Sequence, residues 1–181
     1  MKINPTDKVQ DLIVRFRKYE PAVRKKRDNG YEWMKEADAC VEILNRDPDA
    51  RIKSLIIHCE DEVEFTLYFD GHTHFCADED DYERMCKLAL DILNNEYCSE
   101  LVFGGEEKKW LCFSFKRRED VEHTLWERIG NMSEEEIDSM DLYKYVKDVF
   151  KKLKTYGGEV QYVFWNATYN RTIKIDKKID V

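Results

Sequence analysis

By type and spacing, the residues of this chain best suited to chemistry are His72, His74 and Cys76. Residues two apart on a strand share a face, so the three side chains can converge on one metal. Zinc takes nitrogen and sulfur ligands in tetrahedral sets of four. His58, Cys59 or Cys112 would have to supply the fourth from a neighbouring strand. A plainer reading fits the same residues. Asp70-Gly71 suits a two-residue hairpin turn, which pairs Phe69 with His72, Leu67 with His74 and Phe65 with Cys76. The histidines then face the aromatic side of the sheet, where hydrogen bonds can satisfy them without any metal.

A second set is acidic. Glu60, Asp61 and Glu62 form one cluster, and Asp78, Asp80 and Asp81 another. Together they can make an acidic surface that docks a basic protein and blocks its nucleic-acid groove. Solubility and helix capping account for the same residues. The two clusters also fall at opposite ends of neighbouring strands, which argues against one continuous patch.

No catalytic residue is assigned. The seven glycines match neither a P-loop nor a dinucleotide fingerprint. Ser114 lies on a strand without the sharp elbow that a nucleophilic serine needs. Glu106-Glu107-Lys108 resembles the Glu-x-Lys element of metal-dependent nucleases, but lacks an identifiable partner aspartate and follows a Gly-Gly turn, as a solvated loop would.

The elements that must position these residues are legible as periodicities. Ile52–Cys59, Val63–Phe69 and His72–Cys76 read as a three-stranded meander, with Val63, Phe65, Leu67 and Phe69 alternating onto one face. Tyr82, Met85, Ala89, Ile92 and Leu93 mark the buried face of a helix. Strands follow at Glu100–Phe103 and Lys109–Phe115, with Leu111, Phe113 and Phe115 on one face, then a short helix over Glu119–Ile129. Ser133 to Glu136 forms a capping box with Met132 and Ile137 as its staple. Leu142, Val146, Val149, Phe150 and Leu153 form an apolar stripe that ends at Gly157. A hairpin of Glu159–Trp165 and Thr172–Ile175 closes the chain.

Before the sheet, residues 6–46 read as two helices broken at Pro21. The second places Trp33, Ala37, Cys40, Val41 and Leu44 together, and Asp47-Pro48 stops it. The expected fold is α+β: a mostly antiparallel sheet of about seven strands built from hairpins, with helices, including the two N-terminal ones, packed on one side. At 181 residues the chain is expected to be a single domain, 1–181, with a helical N-terminal layer over 1–48 and the sheet with its intervening helices over 52–176.

The net charge of −8 argues against direct nucleic-acid binding and towards a basic partner. Residues 1–30 hold nine Lys/Arg against four Asp/Glu, leaving 21 and 34 for the rest, so the body is at −13. The basic run Arg15, Arg17, Lys18, Arg24, Lys25, Lys26 and Arg27 can attract that body or a separate acidic surface. Six cysteines without an apolar leader suggest reduced thiols in a cytoplasmic protein. No run reaches the length of a membrane span.

Three functions compete. An acidic, non-enzymatic protein-binding module of inhibitor or immunity type leads. The alternatives are a zinc protein or metalloenzyme on His72, His74 and Cys76, and a structural homo-oligomer joined by exposed aromatics among Tyr68, Phe75, Trp126 and Trp165.

Overall fold

The structure, a computed structural model, describes residues 5–60, 65–70, 72–76, 79–107 and 109–177, with the side chains of 5–7, 72–76 and 79–80 excepted. The chain divides into two compact units, one of residues 1–94 with 165–167, the other of 95–164 with 168–181.

The first unit runs α1 (Pro5–Arg15), β1 (Ala22–Arg24), β2 (Ala39–Leu44), β3 (Ser54–Cys59), β4 (Phe65–Phe69), β5 (His72–Cys76) and α2 (Glu79–Leu93). Its five strands form an antiparallel meander in chain order. The hairpin register is the one a two-residue turn dictates: Phe69 opposite His72, Leu67 opposite His74, Phe65 opposite Cys76. Val41, Ile57 and Leu67 line up across three strands and are buried, as are Ile43, Leu55 and Phe69 in the next row. The helices cover this face. Tyr82 of α2 lies 4.9 Å from Phe65, and its hydroxyl donates to Asp11 of α1 at 2.7 Å.

The second expected N-terminal helix does not form. Residues 39–44 are β2, and residues 25–38 make an irregular strap across the other face of the sheet. The sequence Ala39-Cys-Val-Glu-Ile-Leu44 satisfies both periods in so short a window. Pairing with β3 along its whole length decides for the strand, as β-branched Val41 and Ile43 favour. Asp28 and Asp38 accept the backbone N–H of Lys25 and Lys35, each three residues back, at 2.7 and 3.0 Å. These local bonds compete with helix formation.

The second unit runs β6 (Tyr97–Gly104), β7 (Lys109–Arg117), α3 (Arg118–Val121), α4 (Glu134–Ser139), α5 (Lys144–Tyr156), β8 (Gly158–Val163) and β9 (Arg171–Ile175). Its antiparallel sheet has the order β7-β6-β8-β9. Cys98, Val102, Val160 and Tyr162 pack with Val149, Phe150 and Leu153 of α5 in one core. The capping box is present: Glu136 N–H donates to Ser133 Oγ at 3.0 Å and Ser133 N–H to Glu136 Oε2 at 2.6 Å. Gly157 ends α5 at φ 73°, where an added Cβ would meet the Ile175 carbonyl at 3.0 Å, so only glycine fits.

Among the described residues all seven strands read from the sequence are present, and β1 and β2 make nine, in two sheets rather than one. The sheet divides at α2 because β6 pairs with β7 and β8, not with β5. The helix expected over 119–129 is instead α3 followed by two 3-10 turns. In β7 a register shift opposite Val102/Phe103 makes Leu111 the extra residue. Leu111 and Cys112 therefore both pack against the core, while Phe113 is 44% exposed.

Candidate functional site

Glu100 is the anomaly of the second unit. It sits in the middle of β6, 4% exposed, flanked on its face by Cys98 and Val102. A carboxylate removed from water is costly unless hydrogen bonds replace its hydration. Two are supplied. Ser114, directly opposite on β7, donates its hydroxyl to Oε1 at 2.9 Å, and Trp126 donates its indole N–H to Oε2 at 2.8 Å. Lys116 Nζ approaches Oε1 at 3.8 Å.

The 3-10 turn Leu125–Glu127 aims the indole. Thr124 Oγ1 caps it by accepting from Trp126 N–H at 3.3 Å, and also accepts from the Tyr162 hydroxyl at 2.9 Å. Phe150 meets the Trp126 ring edge-on at 4.7 Å. The sequence placed Trp126 among exposed aromatics; it is 7% exposed, held by that bond to Glu100.

Above Glu100 opens a cleft of about 520 Å³. Tyr145, 62% exposed, stands at its rim, and the rings of Trp126 and Phe150 line it. Glu119, Asp120 and His123 also line it. Of its three carboxylates, Glu100 has Lys116 at 3.8 Å and Glu119 is bonded by Arg117 at 3.4 Å. A buried carboxylate with aromatic walls suits an organic cation, which gains a charge-assisted hydrogen bond and ring-face attraction together. Cys112 lines the cleft too, but burial pushes its thiol up to about 11, leaving it protonated and a poor nucleophile near neutrality.

A second buried polar cluster lies in the first unit. His58 of β3 and Asp38 at the end of the strap are 4% and 2% exposed, with His58 Nε2 3.1 Å from Asp38 Oδ2. A carboxylate only accepts, so the ring proton of this contact is on Nε2. Glu60 Oε1 stands 3.5 Å from Nδ1 on the other side of the ring. Trp33 lies edge-on over the imidazole at 5.0 Å and reaches Tyr68 at 6.4 Å. Beside them Cys40, its thiol raised by burial to about 12, contacts Met34 Sδ at 3.4 Å. The strap closes over this cluster, whereas Glu100 opens onto a cleft.

The candidates from the sequence are placed as follows. His72, His74 and Cys76 lie on β5 in the expected register, but their side chains are outside the described residues. His58, suggested as a fourth ligand, is engaged by Asp38. By register Cys59 stands opposite Phe65, and Phe65 opposite Cys76, so Cys59 shares their face two strands away and His58 lies on the other. Cys112 belongs to the second unit. Among the described residues no three His, Cys, Asp or Glu side chains gather as a metal site. Of the acidic candidates, Asp61, Glu62 and Asp78 lie outside the described residues, as does the side chain of Asp80. Glu60 faces His58 and Lys35, and Asp81 pairs with Arg84.

The basic run is largely spent inside the first unit. Arg15 bonds Asp11 and Glu83, Arg24 bonds Glu42 at 2.7 Å, and Lys26 pairs with Glu36 at 3.1 Å. Residues 31–94 of that unit carry 17 Asp/Glu against six Lys/Arg, so most of the acidity lies there. Little in the local pattern points to Glu100. One signal existed: an acid in place of an apolar residue within the alternation Cys98, Glu100, Val102.

No protein family, curated protein or solved structure matches the chain. No described helix is long and apolar enough to cross a membrane.

Proposed function

We propose that this chain is a non-enzymatic protein-binding module of inhibitor type, which holds a basic side chain of its partner in the Glu100 cleft. The observation that carries it is a carboxylate 4% exposed at the floor of an open, aromatic-walled cleft. Ser114 and Trp126 each donate to one of its oxygens, and a carboxylate has roughly four acceptor positions, so a guanidinium or ammonium that displaces Lys116, 3.8 Å away, can still bond to it. The net charge of −8 draws a basic partner from a distance, and the cleft then selects a side chain by contact. Among the described residues five cysteines are free, four of them buried, which suits a reducing cytoplasm.

The test is a titration of the full chain with blocked arginine amide, followed at the Trp126 indole N–H by NMR and assigned with Trp126→Phe. Blocked norleucine and glutamate serve as controls. Blocked arginine should shift that resonance and bind about tenfold more weakly to Glu100→Gln, the scale of one charge-assisted hydrogen bond. Equal binding by Glu100→Gln, or a shift of the same size with norleucine, overturns the reading.

A further inference from the structure

Resting on that cleft reading, we propose that the partner contributes an extended segment that adds to the outer edge of β7 as a fifth strand, with an Arg or Lys from it entering the Glu100 cleft. Among the described residues β7 pairs with β6 alone and forms the border of its sheet. It is nine residues long, the longest strand among the described residues, and Trp110 to Phe115 carry no charge. Border strands usually avoid this combination, because it templates pairing with another chain.

Geometry ties that edge to the cleft. Glu100 and Ser114 are register partners, so their side chains share the cleft face of the sheet. A strand laid against β7 sits about 4.8 Å further out, with alternate side chains on the same face. A residue level with Ser114 therefore stands about two strand spacings from β6, a gap that a long basic stem and the Glu100 side chain close together. Its neighbours point to the other face, towards Trp110 and Phe113, whose rings stack at 5.1 Å with planes 7° apart and are 54% and 44% exposed. The occupant that fits is a strand with one basic residue between apolar ones. Main-chain bonds supply affinity and the cleft supplies specificity, as in other edge additions. Lys109, Lys116 and Arg117 at the ends of β7 disfavour antiparallel pairing with a second copy, which would set Lys109 against Arg117.

The test uses the full chain and an eight-residue blocked peptide with a single central Arg among alternating Val and Thr. Two variants of it are N-methylated at alternate residues in opposite registers. The parent peptide should bind about tenfold more tightly than blocked arginine amide, the worth of one or two added main-chain bonds. One methylated register should lose that gain and the other keep it, and the amides of β7 should gain protection from hydrogen exchange on binding. If both registers bind like the parent while blocked arginine still depends on Glu100, strand addition is wrong and the cleft reading stands. If Glu100→Gln leaves every ligand unaffected, the cleft reading itself has failed. Protection of β7 that rises with protein concentration in the absence of peptide would instead assign the edge to a second copy and overturn the proposal.

Discussion

The two units each bury a carboxylate against a ring N–H on the face of an antiparallel sheet. Asp38 meets His58 Nε2 at 3.1 Å, and Glu100 meets Trp126 Nε1 at 2.8 Å. Burial does not tell them apart, at 2% and 4% exposure. What differs is the cover. Over His58 the chain lays its own strap, whose Trp33, Tyr31 and Met34 pack against the sheet, and Asp38 also ties the strap down through the Lys35 N–H at 3.0 Å. Over Glu100 there is a cleft instead, with the exposed ring of Tyr145 at its rim. The same polar pair is a clasp where the protein closes over it and a receptor where it does not.

By that contrast the largest effect belongs to the clasp. Asp38→Ala removes the acceptor for a buried imidazole and for a strap amide, and should cost about 2–3 kcal/mol, read from the urea midpoint. Glu100→Gln, which retains an acceptor for Trp126, should cost less than about 1 kcal/mol in the same assay. Equal costs would erase the distinction.

Lys116→Gln should act on the receptor alone. The variant frees Glu100 from a competing ammonium 3.8 Å away, so blocked arginine should bind a few-fold more tightly with little change in stability. Weaker binding would mean that Lys116 supports the ligand rather than competes with it.

The smallest effect is kinetic. Burial raises the Cys112 thiol to about 11 and the Cys40 thiol to about 12, above the ordinary value near 8.5. Since the thiolate is the reactive form, iodoacetamide labelling of either should be slow at pH 8 and speed up as pH rises towards those values. Cys112, at the cleft, should label first, and blocked arginine should protect it. Cys40 lies under the strap and should wait for opening, which Asp38→Ala accelerates. Cys40 labelling ahead of Cys112 would reverse the assignment of closed and open regions.

Period-two and period-3.6 patterns in the sequence located seven strands, α2, the α5 stripe and the capping box, because each depends on neighbours within a few residues. The α+β class and its antiparallel pairing follow from hairpins such as the one at Asp70-Gly71, where a two-residue turn leaves a single register. Residues 39–44 escaped that logic, since six residues fit both periods and only pairing with β3 chooses between them. The bulge at Leu111 escaped it too, separating Leu111 from Phe113 and Phe115, which the alternation had put on one face with it. The clasp and the receptor were both beyond local reading. Asp38 and His58 are 20 residues apart, Glu100 and Trp126 are 26 apart, and a buried acid is indistinguishable from a solvated one until its distant partner is in place. Local sequence determined which strands and helices this chain forms; the tertiary structure alone decided which of its 38 acids left water, because that depends on what the rest of the chain brings to cover them.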